Sequence, residues 1–372
     1  MQRVIFVIVF CALSSVITYA QQPPAFEIIE TKTLSPSDEM YYGWATAAVD
    51  RNDQILVVAS GGREGHVCPF GRVEFMRSYD TGKTWTFPQT ILDSPIDDRD
   101  AGILVTPKGT IIVTTFTSLA YADSLNKIKD DEQRLRWLSL HHRISEEERQ
   151  KELGSWAIRS TDNGITWSAR MNTLVNSPHG PIALTDGRLL YVGKKLWSSA
   201  NENGVVQSLD DGQTWQWLTE LPVRNGDVAA AYHEWHAVET ASGRIIVQMR
   251  NHNPVNNNET LQCESDDGGK TWTTPHNIGV WGFPSHLLKL QNNAVLMTYG
   301  HRRAPLGNQA RISYDEGNTW SAPMVIYGDA ASDDLGYPST VQLKDGTLIT
   351  VWYERTKDNS KAVLKMFKWK LR

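Results

Sequence analysis

Apolar residues in this chain fall into short alternating runs that come in pairs, an apolar strand, a turn on Gly or Asn, and a second apolar strand. The pairs occupy residues 45–58, 101–114, 181–192, 237–248, 287–299 and 339–353. Runs of this length bounded by turn residues are strand patterning, and their recurrence describes repeated small sheets rather than helix pairs.

After each of the first five pairs comes one eight-residue pattern, Ser-x-Asp-x-Gly-x-Thr-Trp, at 78–85, 160–167, 208–215, 265–272 and 313–320. Its residues predict a hairpin: Asp folds back on the backbone through an Asx-type bond, Gly supplies a positive φ, and Trp covers the turn. The Ser positions are 82, 48, 57 and 48 residues apart, so the first interval carries one extra segment. The sixth pair is followed by an apolar run at 362–371 without a box. Six units of about four strands predict an all-β fold, a six-bladed β-propeller, whose radial repetition leaves only short protected edges.

The extra segment, 118–154, is highly charged and predicts helices. Ser145 followed by Glu148 makes a capping box, and Leu153-Gly154 makes a stop. As an insertion in the second blade it is either a solvated helix pair or a lid beside the central cleft.

Residues 1–20 predict a signal peptide: Arg3, an apolar run over 4–17, and Thr18-Tyr19-Ala20 before Gln21. The run is short for a membrane anchor, so the expectation is a secreted or periplasmic protein without stable membrane insertion, its residues 21–372 forming a single propeller domain. Of the cysteines left, Cys68 belongs to the first unit and Cys263 to the fourth. They face each other across the ring, which predicts two free thiols. A net charge of −5 with no basic block argues against nucleic acid as a partner. Asn258-Glu259-Thr260 is a glycosylation sequon. A monomer is the default for a closed ring.

The start of each innermost strand and the loops leaving it converge on a propeller axis. Those positions are dense in ionisable groups: Asp98-Arg99-Asp100, His179, His233-Glu234-Trp235-His236, His286 and Tyr337, with Arg63, Glu64, His66, Lys194, Arg250, Arg302 and Glu354 in the loops. A purely structural core would not carry so many. No two histidines have the spacing of a zinc motif, so neither metal nor cofactor is expected.

The eight-residue pattern is the Asp box, and with the blade count it makes residues 21–372 resemble the sialidase superfamily. In that family the boxes sit on the outer rim and carry no chemistry. The resemblance implies that Glu234 activates a nucleophilic Tyr337, and that Arg250 and Arg302 hold a substrate carboxylate. Sialidases are the tyrosine exception among retaining glycosidases. A neutral phenol deprotonated by a nearby Glu approaches an anionic sugar better than a carboxylate would, and guanidinium forks match a carboxylate.

The first unit departs from the family. Tyr42-Gly43-Trp44-Ala45-Thr46 lacks the family's first arginine, and the loop 61–69 lacks its aspartate acid. Arg63 or Arg99 could supply the guanidinium, and His66, Asp98 or Asp100 the proton. Asp98-Arg99-Asp100 reads equally as a self-neutralising cluster. His179 and His236 complete the expected substrate-binding set.

The resemblance implies an exo-glycoside hydrolase releasing a terminal acidic sugar from a glycan partner. Two alternatives remain open: a polysaccharide lyase acting on uronic-acid glycans, and a non-catalytic glycan-binding propeller.

Overall fold

The computed structural model describes residues 22–36, 39–198, 202–357 and 361–372. The leader-like segment 1–20 lies outside them. Six four-stranded antiparallel sheets surround one axis. Their innermost strands are Tyr41–Val49, Asp97–Val105, Ile182–Ala183, Tyr232–Glu239, Ser285–Lys289 and Leu335–Gln342, and define blades 1 to 6 in that order.

Blades 1 to 5 are each built from consecutive strands. Blade 6 takes its outermost strand, Phe26–Thr33, from the other end of the chain, paired antiparallel with Ala362–Leu371. This explains the missing sixth box: a fourth strand supplied from elsewhere needs no hairpin.

Each box performs the same hydrogen bonding. In 265–272, Ser265 Oγ donates to Asp267 Oδ1 at 2.8 Å and accepts from Gly269 N at 2.9 Å, while Thr271 N and Oγ1 donate to the two Asp267 oxygens at 2.9 and 2.6 Å. Gly269 has φ +89°, which a side chain would strain. The box tryptophans pack into the apolar clusters between neighbouring blades. The boundary between blades 5 and 6 has no box residue, and buried Trp352 and Trp369 fill it, with Phe26 of the closing strand edge-on to Trp369 at 6.1 Å. The hydrophobic stabilisation therefore lies between blades, where each aromatic buries roughly 150–250 Å².

The insertion joins the second and third strands of blade 2. It forms α1, Asp131–His141, capped by Asp130, and α2, Glu146–Glu152, with the Ser145/Glu148 capping box in place. Tyr121, Leu125 and Trp137 pack on Cys68. The Glu64 carboxylate accepts from Trp137 Nε1 at 2.8 Å, Arg136 Nε at 3.1 Å and Gln133 Nε2 at 3.3 Å. The helices thus brace the blade 1 loop beside the axis. Cys68 and Cys263 are buried free thiols. Among the described residues no helix is long and apolar enough to cross a membrane.

Candidate active site

One structural device recurs around the axis. Trp44, Asp100, Glu234 and Tyr337 have φ of +55°, +50°, +53° and +54°, and each stands where the innermost strand slips register against its neighbour. A bulge takes its extra residue out of the ladder and re-aims the side chain, here toward the axis. Left-handed backbone at a non-glycine residue costs on the order of 1–3 kcal/mol and persists only where the surroundings fix it. These four line a cavity of about 360 Å³ with Arg99, Arg250, Arg302, His66, Phe116, Ser118, Ala120 and Tyr353. Gly336, at φ +121°, admits the close approach of blades 5 and 6 just before Tyr337.

At the centre Tyr337 donates its phenol proton to Glu234 Oε1. Arg250 Nη1 donates to both Glu234 oxygens, at 3.1 and 2.9 Å, and its guanidinium lies 4.4 Å over the Phe283 ring. Burial pushes the Glu234 carboxyl up, but Arg250 and the Tyr337 bond outweigh it and hold the group below the usual carboxylate range. The same burial, with the Glu234 charge, drives the Tyr337 phenol well above its ordinary value. The resting pair is therefore a neutral phenol donating to a carboxylate.

Three guanidiniums face this pair. Arg302 donates Nε to Leu335 O at 3.1 Å. Arg99 lies 4.5 Å over the Trp44 ring, its Nη1 3.7 Å from Asp97 Oδ2. Arg250 Nη2 and the terminal nitrogens of Arg302 have no protein acceptor among the described residues. Asp100 is pushed up to about 7, by burial first, with the Glu234 charge adding to it against Arg99. A smaller pocket of about 150 Å³ opens off the wall at Asp100, Phe116 and Glu234 and is bounded by Lys194, His233, Asn176 and Leu196.

Four expected site residues are not on this wall. Arg63 is fully buried, forked onto Asp97 at 2.6 and 3.0 Å and donating to Gly65 O and His66 O, so its donors are spent on the loop and not on substrate. Asp98 is likewise buried, accepting from Ser94 N at 2.7 Å and pushed up to about 7 by burial. The bulge at Asp100 breaks the alternation that would put the two on one face, and Asp98 stays off the cavity wall. His179 and His236 join His286 in a buried axial cluster beneath the cavity, with His236 and His286 stacked at 4.4 Å. Burial drives His236 down to about 3 and the other two well below their ordinary value, so this floor is neutral. Among the described residues no group of three or more His, Cys, Asp or Glu is arranged to hold a metal.

Asp334 escaped the sequence reading. It accepts from Tyr41 Oη at 3.0 Å and Tyr353 Oη at 3.2 Å and lies 3.1 Å from His66 Nδ1. Its nearest sequence signal is Tyr337, three residues on.

A family model described as a BNR repeat-like domain matches residues 137–350, more than half of the chain. The chain belongs to the BNR repeat-like family. This BNR-repeat propeller of the sialidase superfamily superposes on a protein of unknown function from Dyadobacter fermentans DSM 18053 with a TM-score of 0.75 at 23% identity, covering 94% of this chain and 100% of that one. A Hadza microbial sialidase superposes with a TM-score of 0.67 at 17% identity, covering 91% and 67%. Trypanosoma rangeli sialidase in complex with the inhibitor DANA gives 0.61 at 17%, covering 93% and 60%. In sequence, a sialidase of Bacteroides fragilis (strain YCH46) is 24% identical over a 221-position alignment that covers 53% of this chain and 38% of that protein. The BNR-repeat propeller thus spans well under half the length of that curated relative.

Proposed function

We propose that the axial cavity is the active site of an exported exo-glycoside hydrolase of sialidase type, releasing a terminal acidic sugar with retention. The observation that carries this reading is the Tyr337 phenol donating to a Glu234 carboxylate that Arg250 holds ionised. The similarity to sialidases supports the same class, and residues 1–20 support export.

Tyr337 Oη attacks the anomeric carbon while its proton passes to Glu234, and the bond to the leaving oxygen breaks. Water then attacks the same carbon, and the phenolate leaves and recovers its proton from Glu234. Arg250, Arg302 and Arg99 offer N–H donors to a sugar carboxylate, and Arg99 stands in from blade 2 for the guanidinium that Trp44 displaces. Asp100, protonated near neutral pH, donates to the sugar without adding a charge.

The test is fluorophore release from an aryl α-sialoside by the purified protein, with Tyr337→Phe beside it. Turnover in the native protein that vanishes in the variant supports the reading. Absence of turnover in both, with ligand still bound, would favour a glycan-binding propeller.

A further inference from the structure

Resting on that reading, we propose that His66 is the acid that protonates the leaving group and that Asp334 orients it. His66 lines the cavity, and its side chain is 47% exposed there. Its Nδ1 faces two oxygens, Tyr41 Oη at 2.7 Å and Asp334 Oδ1 at 3.1 Å. Tyr41 gives its own proton to Asp334, at 3.0 and 3.1 Å from the two carboxylate oxygens, so it can only accept from the imidazole. The proton on the ring must then sit on Nδ1, shared between Tyr41 and Asp334. That leaves Nε2, without a protein partner among the described residues, for the cavity.

An imidazole tied to a half-buried carboxylate through one nitrogen and open through the other is arranged for proton exchange at the open one. Away from its open edge the ring is held by its neighbours. It meets the Trp44 face edge-on at 5.0 Å and Tyr41 at 5.7 Å. Its own carbonyl accepts from Arg63 Nη2 at 3.1 Å, and Arg63 is locked in turn on Asp97. The charged groups around it are Asp334, which also takes the Tyr353 hydroxyl, and the Arg63 and Arg99 guanidiniums over Trp44. The buried Arg63–Asp97 pair thereby gains a purpose, holding the loop that carries the acid.

Asp100, pushed up to about 7, is the other acid on the wall, but no protein hydrogen bond orients its carboxyl among the described residues. It lies on the Glu234 side, where that charge adds to the effect of burial in raising it. His66 and Tyr337 both pack edge-on against Trp44, with ring centroids 5.0 and 6.5 Å from the indole, and both line the cavity.

In the first step imidazolium Nε2–H gives its proton to the departing glycosidic oxygen, which has kept the electron pair of the broken C–O bond. In the second step the neutral Nε2 takes a proton from the attacking water as its oxygen bonds the anomeric carbon.

The test compares α-sialosides with an acidic phenol leaving group and with a sugar hydroxyl leaving group, in native protein, His66→Ala, Asp334→Asn, Asp100→Asn and Tyr337→Phe. His66→Ala is expected to lose about 10²–10⁴-fold in kcat on the sugar aglycone and less than about tenfold on the phenol, with KM little changed. Asp334→Asn shows a smaller loss with the same split, and Tyr337→Phe loses both substrates. Equal loss on both substrates in His66→Ala, or the split in Asp100→Asn instead, overturns the assignment while leaving the tyrosine reading intact. Native protein inactive on both substrates overturns the hydrolase reading. The dyad is then decided by nitrogen chemical shifts of His66, where an Nδ1–H tautomer lost in Asp334→Asn supports it and an Nε2–H tautomer in native protein refutes it.

Discussion

Replacing Glu234 by Gln keeps the volume and one carbonyl acceptor but removes the charge that binds Tyr337 to Arg250. In the native site the carboxylate takes the phenol proton and two contacts from Arg250, at 2.9 and 3.1 Å. An amide oxygen still accepts the phenol hydrogen bond but cannot take the proton. Loss of a general base removes about 10²–10⁴-fold in kcat, or about 2.7–5.5 kcal/mol of barrier. KM should change far less, because the carboxylate-binding donors of Arg250, Arg302 and Arg99 remain. Stability should also fall, since Arg250 is left without its counter-charge with a side chain only 15% exposed. Breaking such a pair costs about 3 kcal/mol at the lower end of the usual range. The assay is steady-state release of fluorophore from an aryl α-sialoside, with near-ultraviolet circular dichroism confirming that the variant is folded at the assay temperature. A folded Glu234→Gln within about threefold of native kcat, beside an inactive Tyr337→Phe, would refute Glu234 as the base. Unsaturated product persisting in the variant would point to lyase chemistry, which needs no carboxylate beside the tyrosine.

Asp100 has a folded value of about 7 against an ordinary 3.8, so the folded protein keeps a proton that the unfolded chain releases, and stability falls as pH rises between those values. Asp100→Asn should therefore gain stability over native protein at pH 8 and little at pH 4, by at most about 4 kcal/mol. Thermal melts across that range check it, and a gain independent of pH would contradict it. Gly317→Ala puts a Cβ at φ +82° and 2.5 Å from Ile246 Cδ1 of the preceding blade, and denaturant titration should find a loss of about 1–3 kcal/mol. Trp369→Ala, which empties the boundary that lacks a box, should cost about 3–5 kcal/mol by the same titration.

The blades were legible because each is a short-range object: paired alternating runs and a box fixed by contacts within eight residues. Closure was not, since Phe26–Thr33 meets Ala362–Leu371 through a pairing that no local pattern announces. In the site, Glu234, Tyr337, Arg99 and Asp100 were recognisable as polar groups at strand starts and Arg250, Arg302 and His66 as polar groups in the loops leaving them, and the structure brings them to one cavity. Where the reading failed, side-chain direction decided. Asp98 and Asp100 are two apart and would share a face in a regular strand, but the bulge at Asp100 puts them on opposite sides. Arg63 is taken up by Asp97, 34 residues on in the chain, and not by the cavity. Asp334 acquires its meaning only from Tyr41 and His66, about 270 to 290 residues away in the chain.

Among the described strands of the propeller, the outermost strand of blade 6 comes first in chain order and its partner comes last. Until Ala362–Leu371 emerges, Phe26–Thr33 has nothing to pair with, and blade 6 cannot seat against blade 1. Glu234 with Tyr337 joins blades 4 and 6, and His66 with Asp334 joins the blade 1 loop to the approach to blade 6. A growing chain that stops short of residue 362 therefore holds every side chain of the proposed chemistry in a ring that is not closed. On the proposed reading, a cut that frees Phe26–Thr33 is expected to abolish turnover without touching any residue in the cavity.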